Sequence, residues 1–189
     1  MRRIGLFGGT FDPPHIGHLI IAEEIYEQLQ LDEIWFIPTY VPPHKDTKTT
    51  DSIHRKNMVE RSISGNPHFR LKTIELERAG ISYTLDTIKA LKEDYPDDDF
   101  YFIIGGDMVE YLPHWHKIDE LVSLVQFVGV ERQGYPLSSP YPIKFVNVPI
   151  VEISSSRLRE RLEEGRPVYY WMKKDVLDYI REKGLYGFE

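Results

Sequence analysis

The sequence predicts an α/β fold: a single-domain, doubly wound, mainly parallel sheet with helices on both faces. Two patterns point to it. Short apolar runs of strand length alternate with amphipathic helical patterns along the whole chain. The segments richest in chemistry follow strands directly, at the sheet edge where such folds bind ligands. The length, 189 residues without repeat, linker or low-complexity tract, fits one domain.

The elements follow in order. Arg2 to Phe7 reads as a buried strand. Gly17 to Leu29 reads as a helix, with Leu19, Ile20, Ala22, Ile25, Tyr26 and Leu29 at helical spacing. Glu33 to Pro38 is the second strand. Asp51 can cap a helix reaching about Ser64. Phe69 to Leu76 reads as extended. Thr84 to Asp94 is helical and stopped by Pro96. Phe100 to Ile104 is a strand that runs into Gly105-Gly106-Asp107. Ile118 to Leu124 is a helix, and Phe127 to Val130 and Lys144 to Val148 are strands. Ser155 to Glu163 and Lys173 to Lys183 are the last helices, the second ended by Gly184. Right-handed crossovers between such strands give the doubly wound arrangement.

Composition narrows the function. The net charge is −7, the opposite of the basic excess expected of a nucleic-acid binder. An anionic substrate must therefore be held by a local site of helix N-termini and a few placed cations. Cysteine is absent, which excludes disulfides and thiolate metal sites and fits a cytoplasmic location. No apolar stretch approaches the ~20 residues of a membrane span, and the N-terminus lacks the pattern of a secretory leader.

The most informative segment is Gly8-Gly9-Thr10-Phe11-Asp12-Pro13-Pro14-His15-Ile16-Gly17-His18, between the first strand and the first helix. Gly8 and Gly9 let a ligand approach the backbone or permit unusual dihedrals. Pro13 and Pro14 stiffen the approach. His15 and His18, three apart, share a face of the first helical turn. Gly17 leaves room between them, and the helix N-terminus offers free N–H groups and a positive dipole end. Together these form a phosphate socket lined by imidazole donors. A metal held by the two histidines is the alternative, with Asp12 the only third ligand nearby.

A second segment, Ile153-Ser154-Ser155-Ser156-Arg157-Leu158-Arg159, places serines at a helix start, where they can cap it. Arg159 stands one turn in, where its planar fork can grip phosphate oxygens. Arg157 should face elsewhere.

The first segment resembles the signature of the nucleotidyltransferase superfamily with a His-x-Gly-His motif. The Phe-Asp-Pro-Pro form resembles the nicotinate mononucleotide adenylyltransferases in particular. The second resembles that family's Ile-Ser-Ser-Thr/Ser-x-x-Arg motif. The resemblance runs over nearly the whole chain and implies one Rossmann-like nucleotidyltransferase domain over 1–189. It implies ATP binding by Gly8, Gly9, Thr10, His15, His18, Gly105, Asp107, Ser155, Ser156 and Arg159. His18, Arg159 and His15 are the expected catalytic groups.

The segments Ser82-Tyr83-Thr84-Leu85-Asp86-Thr87 and Gly105 to Trp115 resemble those that hold nicotinate mononucleotide, which implies roles for Tyr83, Thr84, Tyr111 and Trp115. Trp115 offers a flat face for a pyridinium ring. His44 and Lys45, after the second strand, are expected to reach the acceptor phosphate. His116 stands where the family often has an aromatic residue. The implied reaction is attack of the acceptor phosphate on the α-phosphorus of ATP, without a covalent enzyme intermediate. Mg²⁺ is expected on the ATP phosphates, with no dedicated protein metal site. The implied partners are the two small substrates, with no nucleic acid or membrane, and the family also suggests a homo-oligomer. The rival readings are a phosphopantetheine adenylyltransferase on the same scaffold, a non-catalytic nucleotide sensor, and preference for the amide form of the acceptor ring.

Overall fold

The computed structural model describes residues 1–41, 49–131, 138–149 and 151–188. Six strands form one sheet: β1 (Arg3–Gly9), β2 (Glu33–Pro38), β3 (Phe69–Leu71), β4 (Asp99–Gly105), β5 (Gln126–Glu131) and β6 (Ile143–Asn147). Their order is β3-β2-β1-β4-β5-β6 and every neighbouring pair is parallel. The winding reverses between β1 and β4. In doubly wound folds the ligand crevice lies at such a reversal, at the carboxyl ends of the strands. Phe7 pairs with Ile103, and the two strands end two residues later, at Gly9 and Gly105.

The helices are α1 (Ile16–Gln28), α2 (Ser52–Ile63), α3 (Ile74–Arg78), α4 (Thr84–Asp94), α5 (Gly106–Tyr111), α6 (Ile118–Leu124), α7 (Ser155–Glu163) and α8 (Lys174–Lys183). Strand residues alternate between faces and so build two cores. Leu6, Trp35, Ile37, Phe102 and Phe127 join α4 and α6 on one side. Phe7, Ile34, Phe36, Ile103 and Val128 join α1 and α2 on the other. Burying each such side chain stabilises by roughly 1.5–3 kcal/mol. A third cluster packs α7 and α8 on Met58 of α2, with Leu158 and Ile180 wholly buried. That cluster anchors the helix carrying Arg159.

One expectation needs correction, and one segment carried no assignment. The extended stretch after Phe69 ends at Leu71, and α3 follows. Its Glu75 is buried and accepts a hydrogen bond from the Thr87 hydroxyl at 2.8 Å. Ile74 packs on the first core. Helical geometry lets both turn inward, whereas a strand would send successive side chains to opposite faces. The segment after Gly105 is a short helix, α5, continued by a 3₁₀ turn over Leu112–His114. Val109 and Leu112 anchor it, too few apolar positions to show a helical period. The helix expected from Gly17 begins at Ile16. Asp51 does cap α2, accepting from the Ile53 N–H at 3.1 Å.

Candidate active site

The phosphate motif forms the turn from β1 into α1. His15 is the N-cap of α1 and is 7% exposed. Its ring stacks on that of His18, with centroids 3.7 Å apart and planes at 27°. His18 Nδ1 accepts the backbone N–H of His15 at 3.1 Å. An Nδ1 that accepts carries no proton, so this hydrogen-bond pattern assigns the proton to Nε2. His18 therefore has a donor at the end of its ring. Burial pushes the His15 imidazole down to about 4, so it is neutral near pH 7. Among the described residues its Nδ1 is buried without a hydrogen-bond partner.

The glycines serve packing as much as ligand approach. A Cβ on Gly17 would lie 2.9 Å from His15 Nδ1, so Gly17 makes room for the imidazole stack. A Cβ on Gly9 would meet the Phe11 ring at 3.0 Å. Phe11 has φ of 50° and is buried between Phe7, Phe36 and His18. A Cβ on Gly105 would meet Asp107 Oδ1 at 2.8 Å.

The N–H groups of α1 are less free than expected. Ile16 donates to the Trp171 carbonyl at 2.8 Å and His18 to the His15 carbonyl at 3.0 Å.

The second motif meets the first directly. Ser154 caps α7, accepting from the Arg157 N–H at 3.2 Å. Ser155 Oγ donates to the Pro13 carbonyl at 2.8 Å. Arg159 Nη1 donates to the Asp12 carbonyl at 2.7 Å, and Nη2 donates to Ser156 Oγ at 3.3 Å. These contacts leave other guanidinium N–H groups for a phosphate. Arg157 is exposed and lies over Trp171 instead, 5.3 Å from its ring. Thr10 lies at the end of β1, half-buried, and Asp107 is exposed in the first turn of α5.

In the segments expected to hold the acceptor, Tyr83 is the N-cap of α4 and Thr84 its first residue, with no side-chain cap on that end. The extended chain after β2 pairs with this segment. Val41 bridges Ile81, Ser82 N–H donates to the Val41 carbonyl at 3.1 Å, and Tyr40 N–H donates to Ser82 Oγ at 3.0 Å. Tyr83 packs on His116 with centroids 4.7 Å apart, so His116 supplies a ring contact where an aromatic residue was expected. Tyr111 stacks on His114 at 4.9 Å. Trp115 is half-buried and meets Phe102 and Phe127 edge-on, which makes it part of the core wall. Among the described residues its Nε1 is buried without a partner. His44 and Lys45 lie outside the described residues.

Two residues of the site, Arg55 and Tyr186, were not singled out from sequence, and Asp12 was read only as a possible third metal ligand. Arg55 is 1% exposed and donates to the carbonyls of Thr10, Thr39, Tyr40 and Thr50 at 2.7–3.1 Å. Burial lowers its pKa, opposed by the charges of Asp12 and Asp51. It ties the ends of β1 and β2 together. Its signal was present: Arg55 shares the apolar face of α2 with buried Met58, Val59 and Ser62. Asp12 is 5% exposed and accepts from the Thr50 N–H at 3.0 Å and from the Tyr186 hydroxyl. Tyr186, near the end of the chain, lay in a segment without any motif.

The cytidylyltransferase-like family model matches residues 6–161. A relative from Oceanobacillus iheyensis, named "Probable nicotinate-nucleotide adenylyltransferase", is 54% identical over 188 residues, covering 100% of this chain and 98% of its own. The Bacillus subtilis (strain 168) relative, named nicotinate-nucleotide adenylyltransferase, is 51% identical over 98% of this chain and 99% of its own. Among solved structures, Plasmodium falciparum nicotinic acid mononucleotide adenylyltransferase complexed with NaAD matches with a TM-score of 0.84 and 26% identity. The match covers 100% of this chain and 99% of that one. A second structure of that enzyme, complexed with APC, matches with a TM-score of 0.83 and 25% identity. The chain belongs to the cytidylyltransferase-like family, in its nicotinate-nucleotide adenylyltransferase group.

Proposed function

We propose that this chain transfers the adenylyl group of ATP to nicotinate mononucleotide, giving nicotinate adenine dinucleotide and pyrophosphate in NAD biosynthesis. The observation that carries the reading is the bond from Arg159 to the Asp12 carbonyl. It joins the second motif to the loop that presents His15 and His18.

The acceptor phosphate is already anionic and needs no base to attack the α-phosphorus in line. Catalysis then rests on positioning and on neutralising charge as pyrophosphate leaves. His18 donates through Nε2–H to a phosphate oxygen, and Arg159 adds charge-assisted donors. The neutral His15 ring backs His18 and holds phosphate. Gly8, Gly9, Thr10, Gly105 and Asp107 line the ATP side of the switch point, with Ser155 and Ser156 at the α7 terminus. Tyr83, Thr84, Tyr111 and Trp115 line the acceptor side, with His44 and Lys45 from the loop after β2.

Asp12 is engaged by Thr50 and Tyr186, and among the described residues no group of three or more His, Cys, Asp and Glu could hold a metal. A Mg²⁺ would be held mainly by substrate oxygens and water and would offset charge on the triphosphate. No described helix is long and apolar enough to cross a membrane. The cytoplasm, with small-molecule substrates, one domain over 1–189 and self-association of the chain, completes the proposal.

The test is pyrophosphate release with ATP and Mg²⁺ on nicotinate mononucleotide and on nicotinamide mononucleotide. Faster release with the acid supports the reading. No release with either acceptor overturns it.

A further inference from the structure

We infer that Tyr186 is a positioning residue for Arg159, acting through Asp12. The inference rests on the phosphate role proposed for Arg159.

Asp12 is the meeting point of three distant segments. Its carboxylate takes the Tyr186 hydroxyl on one oxygen and the Thr50 N–H on the other. Its carbonyl takes Arg159 Nη1 at 2.7 Å. The carboxylate is 5% exposed, so water does little to replace a lost partner. Holding both carboxylate oxygens fixes the side chain, and with it the peptide that orients the guanidinium.

The chain end is shaped to make this contact. Gly184 ends α8 in the left-handed region, and Tyr186 itself has φ of 58° and ψ of 28°. A non-glycine residue pays roughly 1–2 kcal/mol there. Such outliers persist where the surroundings hold them, often beside functional sites. Here the strained turn carries the phenol from the C-terminal end of the fold into the loop between β1 and α1.

The experiment is a double-mutant cycle on turnover, read by pyrophosphate release at saturating substrates, with Tyr186→Phe, Arg159→Ala and the double variant. Tyr186→Phe keeps the ring and removes only the hydroxyl. It should lower kcat about tenfold and leave the KM for nicotinate mononucleotide unchanged. In the Arg159→Ala background the same change should alter kcat less than about twofold, because its route is gone. If Tyr186→Phe does not fold, Asp12→Asn takes its place in the cycle with the same expectation. Wild-type kcat in Tyr186→Phe, or an equal fold-loss in both backgrounds, overturns the inference alone when Arg159→Ala is itself impaired. Wild-type turnover in Arg159→Ala removes the site reading, and the inference with it.

Discussion

Arg159 and Asp12 lie 147 positions apart in the chain, yet a guanidinium nitrogen of one sits 2.7 Å from the carbonyl oxygen of the other. The contact joins α7 to the turn between β1 and α1. It brings a permanent cation to the loop that carries two imidazoles. In a chain of net charge −7, this local focus is what an anionic ligand requires.

His18→Ala should lower turnover by about 10²–10³, the usual loss when one donor to developing charge is removed. The half-buried ring makes edge contacts with Phe7 and Phe11, so stability should fall only modestly. Steady-state pyrophosphate release and a thermal melt on the same sample check both halves.

Gly17→Ala separates helix propensity from site geometry. Alanine should favour α1 by about 1 kcal/mol, but its Cβ would push on His15 Nδ1 at 2.9 Å. The stack with His18 must open. Turnover should fall by about tenfold or more while the melting temperature changes little, because small displacements of positioned groups are costly to rate. Parallel kinetics and melting show whether activity is lost without stability.

His15 should make stability depend on pH. Its folded pKa is about 4, below the ordinary 6.5 of the unfolded chain. Below pH 6.5 the unfolded state binds the extra proton, so stability falls as pH drops from about 6.5 to about 4 and this contribution levels off beneath. The full swing is roughly 3 kcal/mol. Urea unfolding across that window, compared with His15→Gln, should show a shallower slope in the variant. Identical slopes would mean that the imidazole is not held neutral.

Arg55→Met should destabilise by about 3–5 kcal/mol, the range for breaking a buried charged network. Four carbonyls, from Thr10, Thr39, Tyr40 and Thr50, lose their donor together. Urea denaturation reads the loss directly. A change below about 1 kcal/mol would show that Arg55 does not tie β1 to β2.

The parallel sheet was legible because its strands are apolar runs separated by helical patterns. The helix over Ser155–Glu163 was legible to the residue because serines mark its start. The short helices α3 and α5 were not, since five or six residues cannot display a helical period. Within the site, His15, His18 and Arg159 stood out by their motifs. Arg55 did not, because an arginine at helical spacing ordinarily reads as a solvated residue. Tyr186 was hidden for a different reason: its partner, Asp12, lies 174 positions earlier, and no local pattern links them. Sequence spacing suggested that Gly17 leaves room between the two histidines, and the structure sets the ring of His15 against it.

The central claim is that His18 and Arg159 grip the same polyphosphate. The most direct measurement is a pyrophosphate titration followed by side-chain ¹⁵N spectra of the histidines, repeated in Arg159→Ala. His18 should keep its proton on Nε2, and that resonance should move as pyrophosphate saturates the site. Arg159→Ala should weaken binding about tenfold or more, the worth of a charged hydrogen bond. Pyrophosphate binding that leaves the His18 signal unmoved, or equal affinity in the variant, would contradict the account.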